Sequence, residues 1–159
     1  MHHGKRKVKG RGTEDKAVVM GLLERQGGIR TQVVPGPKGR TLRPEVLTHV
    51  EPGATVYTDE RASCRGIDTE YAHMAINHAE GYAKGNVHTN GMENFWSLLK
   101  RGIKGTYVSL EPFHLFRYLD EQAFRFNTRK DNDGGRFLRV VASVAGKRLE
   151  FNNLIGGPS

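Results

Sequence analysis

Cysteine, long apolar runs and acidic side chains are all scarce in this chain of 159 residues. Cys64 is the single cysteine, which excludes a disulfide framework and a cysteine zinc site within the chain. The longest apolar runs are far too short to span a bilayer, and no apolar segment follows the basic opening stretch, so neither a membrane span nor a secretory signal is predicted. We therefore expect a cytoplasmic, nucleoid-associated protein of bacterial type.

Positive charge is what the sequence has in excess. Lys and Arg number 25 against 17 Asp and Glu, giving a net charge of +8 and a pI of about 9.8. Such a balance favours a polyanionic partner, most often nucleic acid, although charge alone is equally compatible with a basic protein that is merely soluble. The apolar fraction of 36% and the 20 glycines indicate a folded middle with loose ends.

The hydrophobic periodicity predicts an α/β arrangement in which helices cover one sheet, with no sign of a second domain. Strands are predicted over four segments, the first two as an antiparallel hairpin: 15–25, 29–34, 54–60 and 71–78. Helices are predicted over three segments: 42–50 capped by Thr41, 90–103, and Ser109 to Asn127. Residues 136–146 fit a helix or a strand, and we favour a helix. The predicted domain limits are a basic mobile arm at 1–13, a folded domain at 14–147 and a mobile tail at 148–159.

The helix within "VHTNGMENFWSLLKRGIKGTY" (87–107) has two distinct faces on a helical wheel. Its core-type stripe consists of Met92, Phe95, Trp96, Leu99 and Ile103. The adjoining flank consists of Glu93, Ser97, Lys100 and Lys104. This flank suits a solvated basic helix whose Glu and Lys form a weak exposed pair. It equally suits one wall of a site that holds a divalent cation and a phosphate. Trp96 lies mid-stripe, which favours core packing over base stacking.

Asp59 is the second candidate for a functional residue. It ends a predicted strand, where the sheet can fix the position of a functional side chain. The alternative is a polar residue that caps the following turn. Phosphodiester chemistry by in-line displacement uses two metal ions about 4 Å apart. Mg²⁺ takes oxygen ligands, and Lys or Arg neutralise phosphate. His88 and His78 could orient phosphate or water, or could be solvated loop residues.

The segments "VYTDE", "VHTNGMENFWSLLKRGIKGTY" and "EPFHLFRYLDEQAFRFNTR" closely resemble the catalytic region of bacterial insertion-sequence transposases of the ISXO-type branch. The resemblance spans about residues 5 to 130. It implies an RNase-H-like mixed sheet flanked by helices, and DDE-type strand cleavage and strand transfer with Mg²⁺ (or Mn²⁺). It implies double-stranded DNA, both insertion-sequence ends and target, as partner. A homo-oligomer is compatible with it, and a membrane is not implied.

The same resemblance assigns roles to individual residues. Asp59 corresponds to the second acid of the triad, and the third metal ligand lies within 90–93. Members of this branch use either Asn or Glu as that ligand, so Glu93 is our first choice, on its helical phase with Lys100, and Asn90 the second. The residues expected to contact DNA are His88, Lys100, Arg101 and Lys104.

One departure from the family pattern concerns the first acid. Members carry it in a "D-E-T" sequence on the first strand, just before a segment like "GKRKVKGRG", and here only "MHH" precedes that segment. Glu14 and Asp15 lie at the start of segment 15–25, which would be the second strand of the family's fold, and are not convincing substitutes. We therefore expect a chain truncated at its amino end that lacks the first strand and is weakly active or inactive. The alternatives are a non-catalytic basic DNA-binding protein or transposition inhibitor, and a product without function.

Overall fold

The computed structural model describes four stretches of the chain, residues 16–59, 71–76, 90–107 and 110–155. These form an α/β structure, which confirms the predicted fold class at that level. Several predictions lie outside the described residues: the basic arm 1–13, the cap at Ser109, and the loop histidines His78 and His88.

Two antiparallel strands form the first hairpin. Strand β1 (Val18–Leu23) pairs with β2 (Ile29–Val34), and Leu23 stands opposite Ile29. β-branched residues are frequent in both strands, and such side chains suit a pleated surface. The Glu24 N–H donates to the Gly28 carbonyl at 3.0 Å and closes the turn. The predicted hairpin is therefore confirmed.

Helix α1 (Gly39–His49) begins earlier than predicted. The Thr41 N–H donates to the Lys38 carbonyl at 2.9 Å, so Thr41 lies inside the first turn. Lys38 occupies the N-cap position and makes no side-chain cap bond. The predicted Thr41 cap was therefore wrong. Val46 is buried as expected, whereas Leu47 is exposed, so the apolar face is narrower than the sequence indicated.

The other two strands form a parallel pair. Strand β3 (Thr55–Asp59) pairs with β4 (Ala72–Ile76), and Asp59 stands opposite Ile76. Within the described residues no ladder joins this pair to the hairpin, so there are two two-stranded sheets where the sequence predicted one. Periodicity identifies strand residues, but it does not say which strands become neighbours, because that depends on packing between distant segments.

A small apolar cluster lies between α1 and both strand pairs. Its buried members are Val46 and Tyr71, and the Tyr71 hydroxyl donates to the Val50 carbonyl at 2.9 Å. Residues from both sheets and from α1 and its C-terminal flank pack against this pair: Met20, Leu22, Val50, Ala54 and Val56. The Arg25 guanidinium also lies 4.6 Å from the ring centre of Tyr57, which adds a cation–π contact between the hairpin turn and β3.

The main core lies between the hairpin and two helices, α2 (Asn90–Gly102) and α3 (Leu115–Asn127). Its buried members are Ile29, Phe95, Leu99, Leu119 and Phe126. Phe95 and Phe126 meet edge to face at 5.7 Å, a favoured aromatic geometry. Met92, Trp96 and Ile103 pack against this cluster, so the predicted stripe of α2 is confirmed as core.

Helix α3 is fixed to β2 through its last residue. The Ile29 N–H donates to Asn127 Oδ1 at 2.6 Å, and Asn127 Nδ2 donates to the Ile29 carbonyl at 2.9 Å. A short 3-10 turn (Pro112–His114) precedes the helix. We expected this helix to be apolar on much of its circumference and well buried, and that was wrong at its beginning, where Phe113 in the 3-10 turn and Phe116 in the first turn of α3 are exposed.

The segment that fitted helix or strand is helical. Helix α4 (Asp133–Val144) is capped by Asn132, whose side chain accepts a hydrogen bond from the Gly135 N–H at 2.8 Å. A short helix, α5 (Phe151–Ile155), lies within the predicted tail. Among the described residues, no helix combines the length and the apolar character needed to cross a membrane.

Candidate functional site

Asp59 is the last residue of β3, at the carboxyl end of the parallel pair. Ligands of open α/β sheets bind beyond the carboxyl ends of parallel strands. The structure describes Asp59 through its backbone only. One residue before it, the Thr58 hydroxyl lies 2.7 Å from His73 Nε2 on β4. This side-chain contact ties the two strands together beside Asp59, and nothing in the sequence pattern pointed to it.

Helix α2 separates a buried stripe from a polar flank. Phe95 is fully buried and Leu99 nearly so, while Asn90, Glu93 and Lys100 are exposed. Glu93 lies in the first turn and Lys100 in the last turn. That charge order also suits the helix macrodipole, so it stabilises the helix whether or not a ligand binds. The predicted flank therefore exists, with one carboxylate, one amide and one ammonium group on it.

Two glycines allow α2 to lie close to β1. A Cβ at Gly21 would meet Met92 Cε and Trp96 Cζ2, each at 2.9 Å. A Cβ at Gly91 would meet Leu23 Cδ2 at 2.7 Å. A Cβ at either position would force these neighbouring side chains to shift, which shows how closely the beginning of α2 lies against β1. The isolated glycine inside a predicted strand was the signal for this close approach.

The end of α2 differs from the sequence prediction. We expected "GIKGTYVS" to break the helix, but the chain continues as a π-helical turn (Ile103–Tyr107). A π turn is wider than an α turn, because its hydrogen bonds join residues five apart. The α-helical rotation of about 100° per residue therefore applies only up to Gly102. Beyond that residue, a helical wheel does not place Lys104 on the same flank as Glu93. Lys104 is exposed, as is Arg101 in the last α turn.

A polar cluster ties the π turn to α3. The Tyr107 hydroxyl donates to Glu121 Oε2 at 2.6 Å, and Arg125 Nη2 lies 2.8 Å from Glu121 Oε1. The hydrogen bond from Tyr107 is the main cause that lowers the pKa of Glu121 below its ordinary value. The same bond raises the pKa of Tyr107 above its ordinary value. The Tyr118 ring packs edge-on against Tyr107 at 4.5 Å.

Sequence reasoning missed this cluster. Tyr107 and Glu121 belong to different elements and meet only when the helices pack. The available signal was the spacing of Glu121 and Arg125, four residues apart on one helical face. The consequence for the site is that the segment following Lys100 is anchored at Tyr107, rather than ending as a free loop.

The predicted site residues are therefore only partly brought together. Asn90, Glu93 and Lys100 share one exposed flank, and Asp59 ends β3. His88 lies outside the described residues. Across the described stretches, no group of three or more His, Cys, Asp or Glu residues is placed to hold a metal ion. Exposed oxygen donors and cations on one helix can contact phosphate and divalent cations, but they do not by themselves complete a metal centre.

Comparison with known protein families identifies a match. The family model described as an ISXO2-like transposase domain matches residues 2–127, which contain β1 to β4, α2 and α3. No curated protein and no solved structure matches the chain. Since the family match covers well over half of the 159 residues, the chain belongs to the family of ISXO2-like transposase domains.

Proposed function

We propose that this chain acts on double-stranded DNA as the catalytic domain of a DDE-type transposase with an RNase-H-like fold. The reaction is phosphodiester cleavage and strand transfer at the ends of an insertion sequence. The observation that supports this best is that the family match, 2–127, includes both the strand end with Asp59 and the exposed flank with Glu93 and Lys100.

Asp59 and Glu93 are the proposed metal ligands, with Asn90 as the alternative to Glu93. Carboxylate and amide oxygens form a hard donor set, which fits Mg²⁺ or Mn²⁺. Such an ion, when bound, would stabilise the negative charge that develops on the reacting phosphate. The position of Glu93 in the first turn of α2 favours a negative charge there, because the helix N-terminus is partially positive.

The proposed role of Lys100 is to bind the DNA backbone. Glu93 and Lys100 point in nearly the same direction but lie about 10 Å apart along the helix axis. Lys100 therefore suits a phosphate a few nucleotides from the reacting one, since each strand of B-DNA rises about 3.4 Å per nucleotide. Arg101 and Lys104 extend the positive surface beyond it. In this proposal Lys100, Arg101 and Lys104 orient the duplex, and Asp59 and Glu93 act at a single phosphodiester bond.

Cleavage by this chain is proposed to be weak. The resemblance supplies counterparts for two of the three acids that DDE chemistry uses, namely Asp59 and Glu93. A non-catalytic DNA-binding role, including competition with an active transposase, is the second candidate. It is favoured by the net charge of +8.

The two functions are separated by binding and cleavage measured on the same variants. Duplex binding is followed by fluorescence anisotropy, and cleavage by gel analysis of a terminal-repeat duplex with Mg²⁺ or Mn²⁺. The transposase proposal expects slow metal-dependent cleavage that Asp59→Ala and Glu93→Ala remove, while Asp120→Ala, an exposed acid on α3, has no effect. Salt-dependent binding with no cleavage in any variant supports the non-catalytic role. Robust cleavage abolished by Asp59→Ala contradicts weak activity and points to another first acid.

A further inference from the structure

Helix α4 presents an apolar stripe to solvent. Phe137, Val140, Val141 and Val144 recur at helical spacing and form a face about 100° wide. Together with the flanking Leu138, these side chains are between 45% and 67% exposed. A helix in a folded domain normally turns such a face inward. Among the described residues nothing covers the stripe, which makes it a candidate interaction surface.

The contacts of α4 with its own chain come from the opposite side and from its first turn. Arg136 Nε donates to the Thr128 carbonyl at 3.2 Å, and Arg139 Nε lies 2.7 Å from Asp131 Oδ2. These polar contacts hold the back of the helix to the turn after α3. They leave the stripe pointing away from the rest of the described chain.

A helix of this kind needs a packing partner to be stable. Isolated helices shorter than about 12–15 residues are marginal in water. α4 has 12 residues, including two glycines and three valines, which are poor helix formers. Its stability must therefore come from burying Phe137 and the valines. No described element of the same chain does this.

We propose that the stripe of α4 packs against the same stripe of a second copy of the chain, with the two helices antiparallel. The stripe is self-complementary in that orientation. Phe137 of each copy meets the smaller Val144 of the other, and Val140 meets Val141 near the two-fold axis. The opposed helix dipoles also favour this pairing. In addition, Asp133 and Arg148, which form surface ion pairs with Arg136 and Glu150, remain 99% and 87% exposed and attract each other across the two copies.

The exposed area is of the size that a dimer requires. Apolar side chains continue to be exposed after α4, and the full set is Phe137, Leu138, Val140, Val141, Val144, Leu149, Phe151, Leu154 and Ile155. Nine side chains that are each roughly half exposed leave on the order of 800 Å² uncovered, comparable with what each partner buries in a specific interface. A second copy that covers all nine side chains would bury an area of that size.

The first test is the oligomeric state of the full chain, by sedimentation equilibrium over a range of concentrations. The wild-type chain is expected to dimerise. Val141→Glu is expected to weaken self-association at least tenfold, because it places a charge at the centre of the interface. Ala142→Glu adds the same charge to the same helix, one residue away from the stripe, and is expected to leave the dimer unchanged. A wild-type chain that is monomeric throughout, or equal effects of the two variants, would overturn the proposal.

The second test reports the helix orientation by disulfide formation, with Cys64→Ser as background. Val141→Cys is expected to cross-link to itself near the axis. Phe137→Cys alone is expected not to, because two antiparallel copies place these positions about 10 Å apart along the helix axis. A mixture of Phe137→Cys and Val144→Cys chains is expected to give the mixed disulfide. Efficient self-linking of Phe137→Cys would overturn the antiparallel arrangement. A monomeric chain whose binding to anionic phospholipid vesicles is lost in Val141→Glu would replace the second copy with a lipid surface.

Discussion

Glu93 and Lys100 lie two turns apart on one exposed flank of α2, while Phe95 and Leu99 on the neighbouring face are buried in the core. The buried stripe therefore sets the direction in which the carboxylate and the ammonium group point. Any change that loosens the stripe also misdirects the flank. This coupling links the stability of α2 to the proposed action on DNA.

Lys100→Ala is expected to weaken duplex binding at all sequences and to reduce the slope of log K against log salt by about 1, because one phosphate contact is lost. The measurement is fluorescence anisotropy of a labelled duplex at several salt concentrations. Lys130→Ala removes the same charge from an exposed turn away from the flank and is the matched control. Equal changes in slope for the two variants would mean that Lys100 contributes only to the overall charge.

Phe95→Ala is expected to destabilise the chain by about 4 kcal/mol, because a fully buried aromatic side chain is removed and a cavity remains. Phe116→Ala is the control, since Phe116 is exposed on α3, and should cost well under half as much. Urea unfolding followed by tryptophan fluorescence gives both values, because Trp96 lies against Phe95 at 5.1 Å. Similar costs for the two phenylalanines would contradict the assignment of the core.

Asn127→Ala is expected to cost about 2 kcal/mol of unfolding free energy. The substitution leaves the backbone N–H and carbonyl of Ile29 without their partners, and an unsatisfied buried polar group is costly. Asn152→Ala, on exposed α5, should change stability by a few tenths of a kcal/mol at most. Hydrogen exchange offers an independent check: the Ile29 amide should exchange faster in Asn127→Ala and not in the control.

The Tyr107–Glu121 hydrogen bond should produce a stability difference that depends on pH. The folded-state pKa of Glu121 is lowered from 4.5, so its contribution is present above that pH and is lost as pH falls through the folded pKa. The folded-state pKa of Tyr107 is raised from 10.0, so its contribution is present below that pH and is lost as pH rises through the folded value. The bond therefore stabilises the chain in the range between the two.

Tyr107→Phe tests this directly. Near neutral pH the variant should be less stable than the wild type by about 1 kcal/mol. The difference should shrink towards strongly acidic and strongly alkaline pH. Tyr57→Phe, outside this cluster, should show no such profile. A difference that stays constant over the whole pH range would show that the stability lost with the hydroxyl does not depend on the ionised carboxylate of Glu121.

Much of the fold could be predicted from local sequence patterns. The hairpin, the strand ending at Asp59, and the two faces of α2 follow from alternation and helical spacing, which involve residues close in sequence. Features that depend on distant segments could not be read in this way. One such feature is the separation of the β3–β4 pair from the hairpin. Another is the pair of hydrogen bonds between Asn127 and Ile29, which are remote in the chain. The Thr41 cap was wrong because the helix begins at Gly39, which places Thr41 inside its first turn.

The candidate site was likewise predictable from the sequence only in part. The flank with Glu93 and Lys100 was predictable from a helical wheel, since both lie on one helix. The position of Lys104 was not, because the π turn after Gly102 changes the phase of the helix. The relation of Asp59 to Glu93 involves a strand and a later helix 34 positions apart, and only the family resemblance connects them.

The most direct measurement of the central claim is a titration of the isotopically labelled chain with Mn²⁺, with backbone amide signals observed by NMR. A paramagnetic ion broadens signals from nuclei near it. If Asp59 and Glu93 hold one metal site, signals of Asp59 and of residues 90–93 should broaden together at the lowest Mn²⁺ concentrations, and Asp59→Ala should abolish the broadening at both places, while Asp120→Ala leaves it intact. Broadening at only one of the two segments, or broadening unaffected by Asp59→Ala, would contradict a shared metal site.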